Sequence, residues 1–217
     1  NCRRQRQMCI RDSRRIALET FEYLQRDLRH DDGGFFAAED ADSEGVEGKF
    51  YVWSAGEFAE VAGADAAVAA DVFGVTETGN FEGANHLYRA RSVDDVATAH
   101  GMSEDEVRVA VARVRQQLLE RRSQRVRPGL DDKIIASWNG LAIRALAEGG
   151  MALDEPALID AGRSCARFVL ERLTVDGRLR RAWAKGRVSE VGGFLDDHAA
   201  VALGLLSLYA AGGEVEW

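Results

Sequence analysis

The sequence has little proline and little cysteine. Only two of its 217 residues are proline, Pro128 and Pro156, so long helices can run without interruption. Its three cysteines, Cys2, Cys9 and Cys165, include no Cys-x-x-Cys pair and no cluster with zinc-ligand spacing. We therefore expect a reducing, cytoplasmic setting, and the sequence predicts neither a metal site nor a cofactor.

The sequence also lacks a positive net charge and any long apolar run. A formal charge of −8 argues against nucleic acid and anionic membrane surfaces as partners. No apolar run approaches the roughly 18–20 residues that a membrane-spanning helix needs. Hydrophobic residues nevertheless make up 46% of the chain, which is enough for a packed core and argues against disorder.

The first 13 residues, NCRRQRQMCIRDS, differ from everything that follows. They are basic, they lack the apolar core of a signal peptide, and MCIRDS resembles the translation of a sequencing-library adapter. We therefore interpret residues 1–13 as a non-native leader and residues 14–217 as the domain. Since the chain stops at Trp217, shortly after a Gly212-Gly213 break, we expect that domain to be truncated at both ends.

The helical segments alternate between two kinds of pattern. Residues 14–29, 102–125 and 157–173 place apolar side chains on one face, which predicts amphipathic helices. Residues 133–148 and 199–211 are apolar on nearly every side, which is typical of helices buried all round. This alternation predicts a mainly α fold in which helical hairpins close into an (α/α) toroid. A solenoid of helix pairs would give a similar alternation, but it fits the long loops less well.

Two β-hairpins are expected between these helices. Phe35-Phe36 and residues 50–53 have strand composition, and they flank a loop that is rich in glycine and acidic residues. Residues 178–194 follow a Val-Asp-Gly turn and form the second expected hairpin. The fold class predicted from the sequence is therefore a partial (α/α) toroid with two inserted β-hairpins.

Two Ser-x-x-Glu sequences indicate where helices start. Ser54 with Glu57, and Ser103 with Glu106, fit the capping box, in which each side chain binds the backbone N–H of the other residue.

Two segments, GLDDKIIASWNGLAIRALA and GFLDDHAAVALGLLSLYAA, resemble each other and lie about 65 residues apart, the length of a helical hairpin with its loops. Each has Leu-Asp-Asp and a basic residue before an apolar helix. We name Asp131-Asp132 the first acidic pair and Asp196-Asp197 the second acidic pair. One aspartate of each pair can cap the free N–H groups of the helix. Since one acid suffices for capping, the other can point into the mouth of a toroid.

Carboxylates in a partly closed cleft can divide the roles of acid and base, because crowding moves their pKa values apart. Glycoside cleavage usually needs such a pair. Asp132 and Asp197 are therefore candidate catalytic residues, and Asp131 and Asp196 are candidates for binding sugar hydroxyls.

Four further residues beside the acidic pairs are candidate substrate-binding residues. Lys133 and His198 occupy the same place in the two segments; His198 could shuttle protons, or each could form an ion pair with the preceding aspartate. Trp138 could stack on a sugar ring or pack in the core. Asn139 could bind hydroxyls, since a buried amide must find hydrogen-bond partners.

We name the stretch GGFFAAEDADSEGVEGKFYVW, residues 33–53, the acidic loop, because it carries five acidic residues within nine positions. It could be a solvated turn, a calcium loop or one wall of a pocket. Gly45 falls at the sixth position counted from Asp40, as in an EF-hand, but Tyr51 stands where the bidentate glutamate should be. In the third interpretation Glu39 and Asp40 are catalytic candidates, and Asp42 binds substrate.

Several long motifs resemble one known family. DGGFFAAEDADSEGVEGKFYVW, GVTETGNFEGANHL, RVRPGLDDKIIASWNGLAIRALA and GGFLDDHAAVALGLLSLY resemble, in this order, the spermatogenesis-associated protein 20 family. The resemblance implies an N-terminal thioredoxin-like domain joined to a six-hairpin toroid similar to N-acylglucosamine 2-epimerases and six-hairpin glycosidases. This chain would be a central slice of the toroid. The family carries an aromatic residue at position 198, so His198 departs from its pattern.

Two functional hypotheses follow. In the first, the domain is an enzyme that hydrolyses or epimerises a sugar with carboxylates as general acid and base. In the second, it is a non-catalytic toroid that binds a ligand or a protein and serves the thioredoxin-like domain that the resemblance implies for the full-length protein.

Overall fold

The computed structural model describes the backbone of residues 2–217 and the side chains of residues 13–217. The predicted leader, residues 1–13, therefore lies outside the described side chains except for Ser13. The chain forms two compact units, which we describe separately. The first unit comprises Asn1–Glu39 and Leu130–Trp217, and the second comprises Asp40–Gly129.

The elements are mostly helices, with short strands between them. In chain order they are α1 (Cys2–Asp27), β1 (Ala38–Glu39), β2 (Asp42–Ser43), β3 (Val46–Glu47), α2 (Ala55–Ala62), a 3-10 turn (Gly63–Asp65), α3 (Ala66–Phe73), α4 (Val93–His100), α5 (Glu104–Ser123), β4 (Leu130–Asp131), β5 (Ile134–Ile135), α6 (Ala136–Leu153), α7 (Pro156–Arg172), β6 (Thr174–Val175), β7 (Arg178–Leu179), β8 (Ala182–Ala184), β9 (Arg187–Val188) and α8 (Leu195–Gly212).

Three helices, α6, α7 and α8, form the centre of the first unit. The N-terminal turns of α6 and α8 lie together, and further along Ser207 of α8 donates a hydrogen bond to Glu148 of α6, so the two helices run parallel. α7 returns between them: the α carbon of Gly150 on α6 lies against Ile159 near the start of α7, while Gly162 faces Leu146. The core of the unit fills the space among these three helices.

The close crossing of α6 and α8 depends on glycine. A Cβ placed on Gly140 would lie 2.5 Å from the backbone nitrogen of Val201, and one on Gly204 would lie 2.6 Å from the carbonyl oxygen of Gly140. Real carbon atoms do not approach backbone this closely, so the two backbones can touch only because both positions lack a side chain.

The two apolar helices are not buried on every side, contrary to the sequence prediction. Leu141 of α6 is 55% exposed, and Leu206 and Tyr209 of α8 are 60% and 48% exposed. Both helices bury one face against each other and α7, and they present apolar side chains to solvent on another. A helix whose sequence is apolar all round can therefore be buried on every side, or it can have an apolar face that the described residues leave exposed. The sequence pattern alone did not distinguish these two cases.

The second unit packs α2, α3 and α4 around the long helix α5. Val107 and Val114 of α5 are fully buried among apolar side chains from the shorter helices. Both predicted N-caps are present, but only Ser103 and Glu106 form the complete capping box. Ser54 caps α2 as expected, whereas the carboxylate of Glu57 accepts a hydrogen bond from Arg125 at 2.8 Å.

The hairpins are tighter than predicted and partly in other places. Phe35-Phe36 does not pair with residues 50–53; instead β2 and β3 pair inside the acidic loop, around a turn with positive φ at Glu44 and Gly45. Two successive positive φ values match the twist of a two-residue hairpin. The expected hairpin at 178–194 is confirmed, with β8 and β9 paired. The mainly α fold of helical hairpins with inserted β-hairpins is thus confirmed.

None of the helices in the described part of the chain is long and apolar enough to cross a membrane.

Candidate functional site

The second acidic pair divides into one buried and one exposed acid. Asp197, in the first turn of α8, is 0% exposed, while the side chain of Asp196 is 63% exposed. The Oδ1 atom of Asp197 accepts a hydrogen bond from the backbone N–H of Ser137 at 3.0 Å, and Oδ2 accepts one from Phe194 at 2.9 Å. Asp197 thus binds the starts of both α6 and α8.

Arg181, in the hairpin between α7 and α8, completes this arrangement. Its Nη1 donates to Oδ2 of Asp197 at 2.9 Å, and its guanidinium lies 4.8 Å from the ring centre of Phe194. Burial by itself raises the pKa of Asp197, but the hydrogen bonds from Phe194 and Ser137 and the charge of Arg181 outweigh it and hold the pKa below its usual value.

The first acidic pair lies outside any helix: Asp131 is the last residue of β4, and Asp132 lies in the connection to β5. Asp131 forms an ion pair with Lys133 at 3.0 Å, and a side-chain hydrogen bond from Lys133 lowers the pKa of Asp131. Asp132 is partly buried and has no hydrogen bond or ion pair to any described residue. α6 starts only at Ala136 and has no side-chain cap, so neither acid caps it as the sequence predicted.

Asn139 is buried and its amide is fully used. Its Oδ1 accepts from the N–H of Phe35 at 2.7 Å, and its Nδ2 donates to the carbonyls of Phe35 at 3.0 Å and Ile135 at 2.9 Å. The side chain therefore pairs with the Gly-Gly-Phe-Phe backbone as a neighbouring strand would. These contacts leave the amide no free donor for a sugar hydroxyl, which favours a structural role.

Trp138 is placed differently from its neighbour. Its side chain is 53% exposed, so it is not the core residue that one interpretation of the sequence proposed. It lies on the first turn of α6, six residues after Asp132. Cys165 of α7 is buried beside Asn139, and burial raises the pKa of its thiol to about 12, as expected of an inert thiol.

The acidic loop is divided between the two units. Glu39, in the first unit, accepts a hydrogen bond from the hydroxyl of Tyr23 at 3.2 Å, and its strand pairs with β4, so Glu39 lies opposite Leu130 beside the first acidic pair. Asp40 and Asp42 belong to the second unit, where both are exposed. Their part in a common site stays a prediction.

The remainder of the loop has the contacts of a solvated turn. Ser43 is buried and donates to the carbonyl of Val126 at 2.6 Å, while Glu44 pairs with Lys49 at 2.7 Å on the surface. Among the described residues, no three acidic, histidine or cysteine side chains are placed to hold a metal ion. The calcium interpretation of the acidic loop therefore has no ligand set in this part of the chain.

In the first unit, Asp197 at the start of α8 binds Ser137 at the start of α6. The residues predicted from the sequence lie on three segments of this unit: Asp131 ends β4 and is followed by Asp132 and Lys133, Trp138 and Asn139 lie in the first turn of α6, and Asp196, Asp197 and His198 lie in the first turn of α8, where His198 is exposed. Sequence reasoning missed Arg181 and Ser137. One of the four arginines of a predicted hairpin and a serine inside an apolar helix are weak signals, since neither residue type specifies its partner.

Comparison with known proteins gives relatives along most of the chain. No family model matches it. It is 32% identical to human spermatogenesis-associated protein 20 over 237 aligned residues, which cover 93% of this chain and 30% of that protein. An uncharacterised protein of Caenorhabditis elegans is 33% identical over 230 residues, 92% of this chain and 31% of that protein. The chain thus spans about a third of the length of these curated relatives.

Among solved structures, the cellobiose 2-epimerase of Bacillus thermoamylovorans B4167 matches with a TM-score of 0.38 and 13% sequence identity. The match covers 94% of this chain and 51% of the epimerase.

Proposed function

From the premise that this chain is related along almost its whole length to spermatogenesis-associated protein 20, as its motifs predicted, we propose that its first unit contributes a site for a sugar or a similar polyol. In this site Asp132 is the ionisable group, acting as general acid or base, and Trp138 is the stacking surface.

The observation that carries this proposal is the difference between the acids. Asp197 has both oxygens engaged and no exposure, and Asp131 is paired with Lys133. Asp132 alone among the four acids of the two acidic pairs is partly buried and has no partner among the described residues. A carboxylate in this state can take or give a proton, or accept two hydroxyl hydrogen bonds.

The exposed indole of Trp138 supports a carbohydrate ligand in particular. Transferring a half-exposed indole from water onto an apolar surface is favourable, and the C–H face of a pyranose ring offers such a surface. A carboxylate and an indole near the start of one helix provide the two contacts that a sugar needs, polar at its hydroxyls and apolar at its ring face.

The test is turnover of a sugar panel by the purified chain. Glucose, mannose, N-acetylglucosamine and cellobiose are incubated with the protein, and epimers or cleavage products are followed by NMR. We expect Asp132→Asn to lower kcat by about 10²–10⁴-fold, as for loss of a general acid or base. The matched control is Asp176→Asn, which makes the same chemical change in an exposed turn of the same unit. Unchanged turnover in Asp132→Asn would contradict the proposal.

The exposed face of α8 favours a second candidate, a non-catalytic binding module. No charged residue occurs between Ala199 and Gly212, and Leu203, Leu206 and Tyr209 are each about half exposed. Large uncovered apolar faces are typical of surfaces that bind another protein. Binding of a sugar or of a thioredoxin-like domain, without turnover in the whole panel, would favour this candidate over the enzyme.

A further inference from the structure

We propose that Asp197 is a positioning residue and not an acid or base: its buried carboxylate, held by Arg181, fixes the start of α6 and with it the exposed Trp138. This inference rests on the proposed function, because Trp138 is the stacking surface of that site. It reassigns a residue that its motif made a candidate for catalysis.

The start of α6 depends on contacts from distant parts of the chain. The first N–H groups of any helix lack partners within the helix, and α6 has no side-chain cap of its own. The N–H of Ala136 donates to the carbonyl of Arg181 at 2.9 Å, and the N–H of Ser137 donates to Asp197 at 3.0 Å. Two successive N–H groups are therefore satisfied by the hairpin before α8 and by α8 itself.

Asp197 also places a negative charge where the positive ends of α6 and α8 meet. Because α6 and α8 are parallel and start side by side, the partial positive charges of their N-terminal ends lie close together, with the guanidinium of Arg181 beside them. One buried carboxylate accepts from both helix starts and from the arginine. Removing it would leave these donors unpaired and the positive charges facing one another.

The same contacts exclude Asp197 from proton transfer. A general acid or base must come within about 2.6–3.2 Å of the substrate atom, directly or through one water. Asp197 has no exposed surface, and each of its oxygens already accepts a hydrogen bond. Its effect on a ligand must therefore pass through Ser137, whose next neighbour in the chain is Trp138.

The experiment uses the whole chain labelled with 5-fluorotryptophan. Its four tryptophans, Trp53, Trp138, Trp183 and Trp217, give four fluorine resonances, and the Trp138 resonance is the one that disappears in Trp138→Phe. We expect Asp197→Asn to shift or broaden the Trp138 resonance, because the amide cannot accept from all three donors. The Trp53 resonance, from the second unit, should stay in place.

Two further variants keep the test decisive if Asp197→Asn folds poorly. Arg181→Ala should move the Trp138 resonance in the same direction, and Arg181→Lys should return it toward the wild-type position, since lysine can still donate to Asp197. Asp132→Asn should leave it unchanged. If the Trp138 resonance keeps its position and width in both Asp197→Asn and Arg181→Ala, the inference is overturned.

Activity separates this inference from the proposed function. With whichever sugar of the panel is turned over, Asp197→Asn should raise KM and leave kcat nearly intact, whereas Asp132→Asn should lower kcat. Loss of kcat in Asp197→Asn without movement of the Trp138 resonance would make Asp197 the acid or base and refute its positioning role. If no sugar is turned over, the proposed function fails, and the resonances still decide the role of Asp197.

Discussion

The two acidic pairs occur in the same three-residue sequence, Leu-Asp-Asp, but their side chains have different environments in the structure. In the second pair, Asp197 is fully buried and binds the starts of two helices. In the first pair, Asp132 occupies the matching place in the motif and contacts no described donor. One sequence motif thus supports a structural acid in one place and a chemically available acid in the other.

The difference originates in where each helix begins. At the second pair, α8 starts with Leu195, one residue before Asp196, so Asp197 falls in the first turn, where N–H groups are free. After the first pair, Ile134 and Ile135 form β5 and pair with β8, and this strand delays α6 until Ala136. Asp132 therefore lies three residues before Ile135, the N-cap position of α6, and does not cap the helix.

Replacing Asp197 or Asp132 by alanine should give the largest difference in stability between the two acidic pairs. We expect Asp197→Ala to lower the free energy of unfolding by about 3–5 kcal/mol, because it leaves a partly buried arginine and two N–H groups without their acceptor. Asp132→Ala should change it by at most about 0.5 kcal/mol, since no described partner is lost. Urea unfolding followed by circular dichroism measures both. Equal losses of unfolding free energy in the two variants would show that Asp132 and Asp197 stabilise the fold equally.

The next largest effect should come from the crossing that places the two helix starts side by side. Gly140→Ala puts a methyl group against the backbone of α8, and we expect a loss of about 1–3 kcal/mol from overpacking. Its control is Gly56→Ala in α2, where an added Cβ meets nothing within 4 Å and alanine should stabilise the helix by about 0.5–1 kcal/mol.

Opposite signs for these two glycine substitutions would confirm that the helix crossing, and not helix propensity, sets the response at Gly140. If Gly140→Ala is neutral, the helices can separate without cost, and the contact between Asp197 and Ser137 would not depend on this crossing.

Much of the fold followed from periodicity. The amphipathic helices, the apolar helices, the cap at Ser103 and the hairpin at residues 178–194 are all present. Most bounds lie within five residues of the predicted ones, but α1 starts at Cys2, twelve residues before the predicted start at residue 14. These features depend on local spacing, which a sequence shows directly. The pairing of Ala38 and Glu39 with β4 was not predicted, because it joins residues that are far apart in the chain.

The roles of the site residues could be predicted only as alternatives. The sequence placed Asp132 and Asp197 in one motif, but their burial depends on the strand β5, whose partner lies in a distant hairpin. Asn139 was expected to find partners, and it found the backbone of Phe35, more than a hundred residues away. Such long-range contacts leave no periodic trace, so sequence reasoning could state the need for a partner and not its identity.

The contribution of Asp197 to the stability of the fold should depend on pH. The pKa of Asp197 is lower in the folded state than the roughly 3.9 of an unfolded aspartate, so its contribution to stability is complete above that value and is lost as pH falls through the folded pKa. The groups that face it are Arg181, which keeps its charge, and Asp196, 3.7 Å from Arg181. The melting temperatures of wild type and Asp197→Asn should therefore converge as the solution is acidified below pH 4. A constant difference would mean that the charge of Asp197 does not stabilise the fold.

The smallest effect should come from the ion pair of the first acidic pair. Lys133→Ala removes the partner of Asp131, but both side chains are about half exposed, and surface ion pairs contribute little because water screens them and ordering two long side chains costs entropy. We expect unfolding by urea to be unchanged within error, and the pKa of Asp131, measured by NMR titration, to rise toward its usual value because its hydrogen bond is lost. Asp132 lies between these two residues, so the same titration reports whether its own carboxyl group responds. A loss of stability near that of Asp197→Ala would mean that the first pair also stabilises its helix. The two pairs would then have the same structural role and differ only in the residues that they bind.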